Sequence, residues 1–398
     1  MSASARQMTP ALSTQSNGRN QNACFLSLPP ELYPEILKHL PLTPTLSTLA
    51  SRWPRSDEGM PLSENLFYCL RWKSGPETAL RIIQEIHSRY PHFPWTAHKN
   101  RAFRWACRAG NLAVLEYMLA ELDGINPGDE DCLGLHWAVE NRHEEVVLLL
   151  LRVGVDPAYN DNFCIKIAAQ EGMLDVVRVL CGQGFEGVVD VAAQDNFAVR
   201  LAAQNGHIEV VQTLLATGKA DPSASNNYGI ILAARNGFAN MVELLLTDSR
   251  VDPRANNQEA IVDASSEGHV GVVDILLRDT RVDPSVRGGE CIKKASENGH
   301  VSVVQRLLRD KRVDPTIEKQ YPLREAALAG HSEVVAVLLE DHRVNLDDSW
   351  SSVIPEVVAR KHWNVLNMLM SKLPQVGRVD LKALLCNDAM VDVRFLGV

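Results

Sequence analysis

The sequence predicts an all-α solenoid, a stack of helix-turn-helix units joined by short hairpin or turn connectors. Three observations predict it. Ala202, Ala233, Ala264, Ala295 and Ala326 follow one another at a constant step of 31 residues. Four residues after the alanine, most of these units carry Gly-His, as at Gly206-His207 and Gly299-His300. A Val-Val and Leu-Leu segment comes next, closed by Val-Asp-Pro, as at Val251-Asp252-Pro253. A fixed period of this kind marks supersecondary units that cannot bury their apolar faces alone and therefore stack.

In chain order, residues 1–24 are polar and read as a disordered tail, without the apolar core of a secretory signal. Residues 25–55 are different. Leu32, Ile36, Leu37 and Leu40 fall at helical spacing on one apolar face, and that face needs a partner. Residues 56–97 read as a helical linker or a decayed repeat. Within them 77–89 form an amphipathic helix, followed by the turn Tyr90-Pro91-His92-Phe93-Pro94-Trp95.

The array occupies 98–372. Its alanine column begins at Ala106, Ala138 and Ala168, with spacings of 32, 30 and 34, and ends at Val357, 31 after Ala326. Gly110-Asn111 and Lys361-His362 replace Gly-His at the two ends. Terminal units need a polar outer face, so irregularity is expected there. Residues 373–398, with Val379-Asp380-Leu381-Lys382-Ala383-Leu384-Leu385, read as a C-terminal cap.

One unit, residues 197–222, explains the rest. Val199, Leu201, Ala202 and Ala203 make a short first helix whose small residues admit a close neighbour, and Gly206 breaks it. Val210, Val211, Leu214 and Leu215 put an apolar face on the second helix that must be covered. Asp221-Pro222 closes the unit, because proline cannot continue a helix and aspartate bonds the backbone of the turn it starts.

The string Leu201-Ala202-Ala203-Gln204-Asn205-Gly206-His207-Ile208-Glu209-Val210-Val211, followed by Leu214-Leu215, resembles the ankyrin repeat. Two departures shape expectations. Strings such as Tyr228-Gly229-Ile230-Ile231 replace the family's Thr-Pro-Leu-His, which implies weaker bonding at the helix start. The family's unit is about 33 residues, whereas this one carries an extra residue before the aspartate, as in Ser249-Arg250-Val251-Asp252, and a shorter connector after the proline. The protruding hairpin should be stubby. The resemblance implies that a protein partner is held on the concave face. The candidates there are Gln170, Glu171, Gln204, Asn205, Arg235, Asn236, Ser266, Glu267, Glu297 and Asn298, the residues before each glycine. Tyr228 and Tyr321 are added as aromatic anchors.

A second resemblance precedes the array. Leu28-Pro29-Pro30-Glu31-Leu32, then Ile36-Leu37-Lys38-His39-Leu40-Pro41, then Leu46, Leu49 and Arg52-Trp53, look like the start of an F-box. Leu28, Pro29, Leu32, Ile36, Leu37 and Leu40 are the residues that would meet a Skp-type adaptor of a cullin-RING ubiquitin ligase. Pro34 inside the expected first helix and a shortened stretch before Trp53 depart from that pattern. The other reading is that these helices merely cap a non-catalytic ankyrin scaffold.

Composition and motifs exclude other classes. A chain with 45% apolar and 22% charged residues is neither fibrous nor wholly disordered. Its apolar stretches are brief, as at Val146 to Leu151, so no membrane span is expected. Net charge is −9, and no basic stripe suited to phosphates stands out, which argues against nucleic acid. The chain is expected in the cytoplasm and/or nucleus, monomeric before assembly. The cysteines form no Cys-x-x-Cys pair, and Cys107, Cys164 and Cys291 read as buried thiols inside first helices. His143, His207, His269, His300, His331 and His362 share one repeat position. That alignment suits backbone bonding between a unit's helices better than a metal, because stacked rings lack convergent acid or thiol partners. No nucleophile motif, phosphate loop or carboxylate pair stands outside the repeat, so no enzyme, cofactor or metal site is expected.

Overall fold

The computed structural model describes residues 76–373, apart from 90–94, 183, 186, 348, 349 and 351. The expected tail at 1–24, the F-box-like segment at 25–55, residues 56–75 of the linker and the cap from 374 onward lie outside the described residues.

Helix α1 (Pro76–Arg89) comes first, close to the bounds read from the sequence. Helix pairs follow, and no strand occurs among the described residues. The first helices are α2 (Ala97–Ala109), α4 (Asp129–Glu140), α6 (Tyr159–Gln170), α8 (Ala193–Gln204), α10 (Ala224–Arg235), α12 (Ala255–Ser266), α14 (Val286–Glu297), α16 (Ile317–Ala329) and α18 (Ile354–Ala359). Their partners are α3 (Leu112–Glu121), α5 (Glu144–Arg152), α7 (Leu174–Cys181), α9 (Ile208–Ala216), α11 (Ala239–Leu246), α13 (Val270–Arg278), α15 (Val301–Leu308), α17 (Ser332–Glu340) and α19 (Trp363–Lys372). First helices pack on first helices and second on second, so the molecule is two layers with one continuous core between them.

Side-chain size explains the stacking. Ala106, Ala138, Ala168, Ala202, Ala233, Ala264, Ala295, Ala326 and Val357 are all fully buried. A small side chain at this column lets neighbouring first helices approach closely. On the second helix, Val211 and Leu214 are fully buried and Val210 nearly so, each such side chain stabilising the stack by about 1.5–3 kcal/mol. Leu215, expected in the same covered face, is only half-buried. Cys107, Cys164 and Cys291 are buried free thiols, and burial pushes Cys164 and Cys291 up to about 12.

The connectors are shorter than a hairpin. In α8 the residues Gln194, Asp195 and Asn196 are left-handed, with φ of 52°, 57° and 57°, and the right-handed helix starts after them. The same triplet recurs at 160–162, 225–227 and 256–258. Left-handed backbone costs most residues about 1–2 kcal/mol each, and asparagine and aspartate tolerate it best. The third residue of the triplet also bonds the next unit. Asp190, Asp221 and Asp252 donate their backbone N–H to the side-chain oxygens of Asn162, Asn196 and Asn227 at 2.7–2.8 Å. Gln258 does the same for Asp283 at 2.6 Å. These bonds tie one unit to the next, while the starts of these first helices have no side-chain cap, in keeping with the weaker bonding expected there. As expected, each aspartate also accepts from its own turn: Asp252 Oδ1 from the Arg254 N–H at 3.0 Å, and Asp283 Oδ1 from Ser285 at 2.9 Å. No described helix is long and apolar enough to cross a membrane.

Candidate functional site

Two sets of side chains fasten one unit to the next and fix the geometry of the exposed face. The histidines come first. Their Nε2 atoms lie 2.8–3.1 Å from backbone carbonyls: His143 on Arg108, His207 on Gln170, His269 on Arg235, His300 on Ser266, His331 on Glu297 and His362 on Leu328. Every carbonyl belongs to the preceding unit, not to the two helices flanking the histidine as the sequence suggested. The bond therefore closes a seam between repeats, using carbonyls that the end of the first helix leaves open.

The second set explains the extra residue in the repeat. Asp279 and Arg281 form a tight pair at 2.7 Å, and Arg281 Nη1 donates to the Val251 carbonyl of the preceding unit at 3.1 Å. Arg312 repeats this with Asp310 and Val282, and Arg343 with Asp341 and Val313. The arginine beside each of Asp279, Asp310 and Asp341 holds the carboxyl below its ordinary value. The extra residue separates the aspartate from the arginine by two positions, the spacing this clasp uses.

The open face of the first-helix layer is where the candidate residues fall. Gln170 and Glu171 line a pocket of about 460 Å³ with Arg108, Trp137, Glu140, Asn141 and Ile167. Three consecutive units contribute to it. Its wall carries the Trp137 indole, the Arg108 guanidinium and the carboxylates of Glu140 and Glu171. Trp105 lies 5.5 Å from Trp137, and Arg108 sits 4.9 Å from the Trp105 ring and 5.4 Å from that of Trp137. Beside them His136 stacks on Phe163 at 3.8 Å.

The remaining candidates are strung along the stack. Asn205, Asn236 and Asn298 donate to the carbonyls of Gln170, Gln204 and Ser266 in the preceding unit, so their amides already serve the seam. Arg235 pairs with Asp263 at 2.7 Å and Glu259 at 3.2 Å, and Glu297 with Lys294 at 3.0 Å. Ser266 accepts from Asn298, while Gln204 is half-buried and Glu267 exposed. Tyr228 is exposed at the first right-handed turn of α10. Tyr321, at the same place in α16, lies between Lys293 and Arg324 at 5.7 and 5.4 Å.

Trp105 and Trp137 were missed by reasoning from the residues before each glycine, and Arg108, two before Gly110, was left out of that column. The signal was one column away. The position before the core alanine reads Trp105, Trp137, Ile167, Leu201 and Leu232, then Asp263, Lys294, Glu325 and Glu356.

Among families of known proteins, the one described as ankyrin repeats matches the chain in three overlapping copies, at 136–226, 199–288 and 264–348. A search of curated proteins returns no match.

Proposed function

The chain belongs to the ankyrin-repeat family, and from that premise we propose that it is the non-catalytic substrate-recognition subunit of a cullin-RING ubiquitin ligase. It is a protein-interaction module. In the proposed arrangement the array holds a protein substrate on the open face of its first helices, and residues 25–55 dock on a Skp-type adaptor, in the cytoplasm or nucleus.

One observation carries the reading. Helix α1 packs on α3 at the N-terminal end of the stack, and His87 Nδ1 lies 2.8 Å from the Tyr117 hydroxyl. Ala79 and Ile83 of α1 are buried there. The second-helix layer thus has a cover from α1 at this end, so Leu32, Ile36, Leu37 and Leu40 are not called on for that duty in the proposed arrangement. Apolar residues at helical spacing need a partner to cover them, and the F-box-like string supplies the chemistry for an adaptor.

Co-expression with a Skp-type adaptor tests this. The two chains should co-purify, and Leu32→Asp with Ile36→Asp should abolish the complex while leaving the helical circular dichroism of the array intact. A folded wild-type chain that leaves the adaptor unbound would reduce the protein to an ankyrin scaffold with an N-terminal cap.

A further inference from the structure

The open face is not uniform along the stack. In the first units the column before the core alanine is apolar. Trp105, Trp137, Ile167 and Leu201 are half-buried, with Leu232 beneath the surface. One helical turn earlier, on the same face, Leu133, Phe163, Phe197 and Tyr228 continue the strip. From α12 onward the columns turn mostly charged, with Glu259 and Asp263, Glu290 and Lys294, then Tyr321 and Glu325. The boundary is marked by Arg235, whose guanidinium bonds Asp263 and Glu259.

Charge separates the two halves as well. Charges of the later half answer one another: Lys294 with Glu297, Lys293 with Glu318 and Arg324 with Glu325. In the earlier half Arg142 meets Glu171 at 3.6 Å and Arg104 meets Glu130 at 3.9 Å, while Glu140 lies 3.3 Å from His136 Nε2. Two arginines there are left over. Among the described residues, Arg108 and Arg200 form no ion pair with any carboxylate. Arg108 lies over Trp105 and Trp137, and Arg200 lies 5.6 Å from Phe197 while donating to the Asp195 carbonyl. Two guanidiniums held on aromatic rings along an apolar strip suit carboxylates carried by an apolar segment.

Spacing narrows the partner further. Stacked helices lie about 8–10 Å apart, so the strip from Trp105 to Leu232 runs roughly 40 Å. An extended chain covers that length with about 12 residues. In the three-residue-per-turn extended conformation, one turn rises about 9 Å, close to the step from one unit to the next. Every third side chain of such a segment can then meet the strip in successive units.

We infer that the earlier half of the face, from Trp105 to Leu232, is a docking strip for an extended acidic segment of a partner protein, with apolar side chains at every third position and carboxylates between them. Trp137 with Ile167 forms the anchoring pocket. Arg108 receives a carboxylate in the first unit of the strip and Arg200 another in the fourth. The inference rests on the array being the partner-binding part of the protein, and it is independent of whether residues 25–55 reach an adaptor.

Selection of a displayed library of random peptides, about 12 residues long to match the strip, on the folded full chain tests it. Enriched peptides should combine apolar residues three apart with Asp or Glu. A synthetic copy of the most enriched peptide, followed by fluorescence anisotropy, should bind at least ~tenfold more weakly to Trp137→Ala, to Arg108→Glu and to Arg200→Glu, a hot-spot-sized loss. Lys294→Glu, in the later half, should bind as wild type does. Arg108→Glu changes an exposed residue, so it reads the site even if Trp137→Ala misfolds. Enrichment of basic peptides, no enrichment at all, or equal loss in Lys294→Glu would each overturn the inference. Failure of the adaptor to co-purify would remove the ligase reading and leave this result standing.

Discussion

His300 Nε2 lies 2.8 Å from the carbonyl oxygen of Ser266 in the preceding unit, and the same imidazole fills the space that a Cβ on Gly268 would need, with Nδ1 2.5 Å from that point. Gly268 also has φ of +83°, so two separate requirements exclude a side chain. Gly268→Ala should cost about 2–3 kcal/mol, from left-handed strain and from the displaced ring. Adding His300→Ala removes the clash but not the strain, so the double variant should lose less than the sum of the singles. Urea denaturation of the full cycle measures the coupling. Strict additivity would mean that the ring and the glycine do not share the space.

The first units provide a natural counterpart. Arg142 occupies the glycine position of its unit and has φ of +60°, and the following unit brings Met173 where most others bring histidine. Met173 is buried and cannot donate to the open carbonyl. Arg142→Gly should stabilise the array by about 0.5–1 kcal/mol, by relieving left-handed backbone. Met173→His alone should bring no gain, because its ring meets the Arg142 Cβ. Together the two changes should exceed the effect of Arg142→Gly alone, as thermal unfolding would show.

The repeat, its helices and its closing aspartate were legible because each is a local pattern tied to one period. The buried alanine column is visible as letters, and Asp252 or Asp283 announces its turn by the proline that follows. The contacts between units were less legible. His207 was assigned to bonding within its own unit, yet the carbonyl it meets is on Gln170, because stacking and not sequence distance sets that neighbour. The left-handed triplets were unreadable for a similar reason. Gln194-Asp195-Asn196 is compatible with several turns, and the bond from Asp221 to Asn196 selects one of them. Leu201 was placed in the first helix with no face assigned to it; it is half-buried, in the same column as Trp137 and Ile167, which line the pocket.

The Asp-Arg clasps give the array a defined acid sensitivity. Asp279, Asp310 and Asp341 are held below the ordinary carboxylate value of 3.8 by Arg281, Arg312 and Arg343. A depressed folded value means that the stabilisation is fully present above the unfolded value and is lost as pH falls through the folded one. The melting temperature should therefore hold steady down to about pH 5 and drop below about pH 4. Arg312→Met should lower stability at neutral pH by up to about 1 kcal/mol, since the pair is partly solvated. It should also shrink the acid-induced drop. An unchanged pH profile in that variant would assign the acid sensitivity to other carboxylates.

Leu276, in the last turn of α13, is fully buried between layers, and a carboxylate there would be stranded among apolar side chains. Leu276→Asp should cost about 3–5 kcal/mol, from the lost packing and the stranded charge. How that loss spreads decides whether the stack behaves as a chain of nearest neighbours. Each unit touches the ones before and after it, as α13 touches α11 and α15, so the damage should stay near its origin. Amide exchange should accelerate most in α12 to α15 and progressively less toward α4 and α5, whose core residues Val147 and Leu150 lie several units away. Equal acceleration along the whole array would mean that the units unfold as one cooperative block, because nearest-neighbour coupling can only produce a gradient centred on α13.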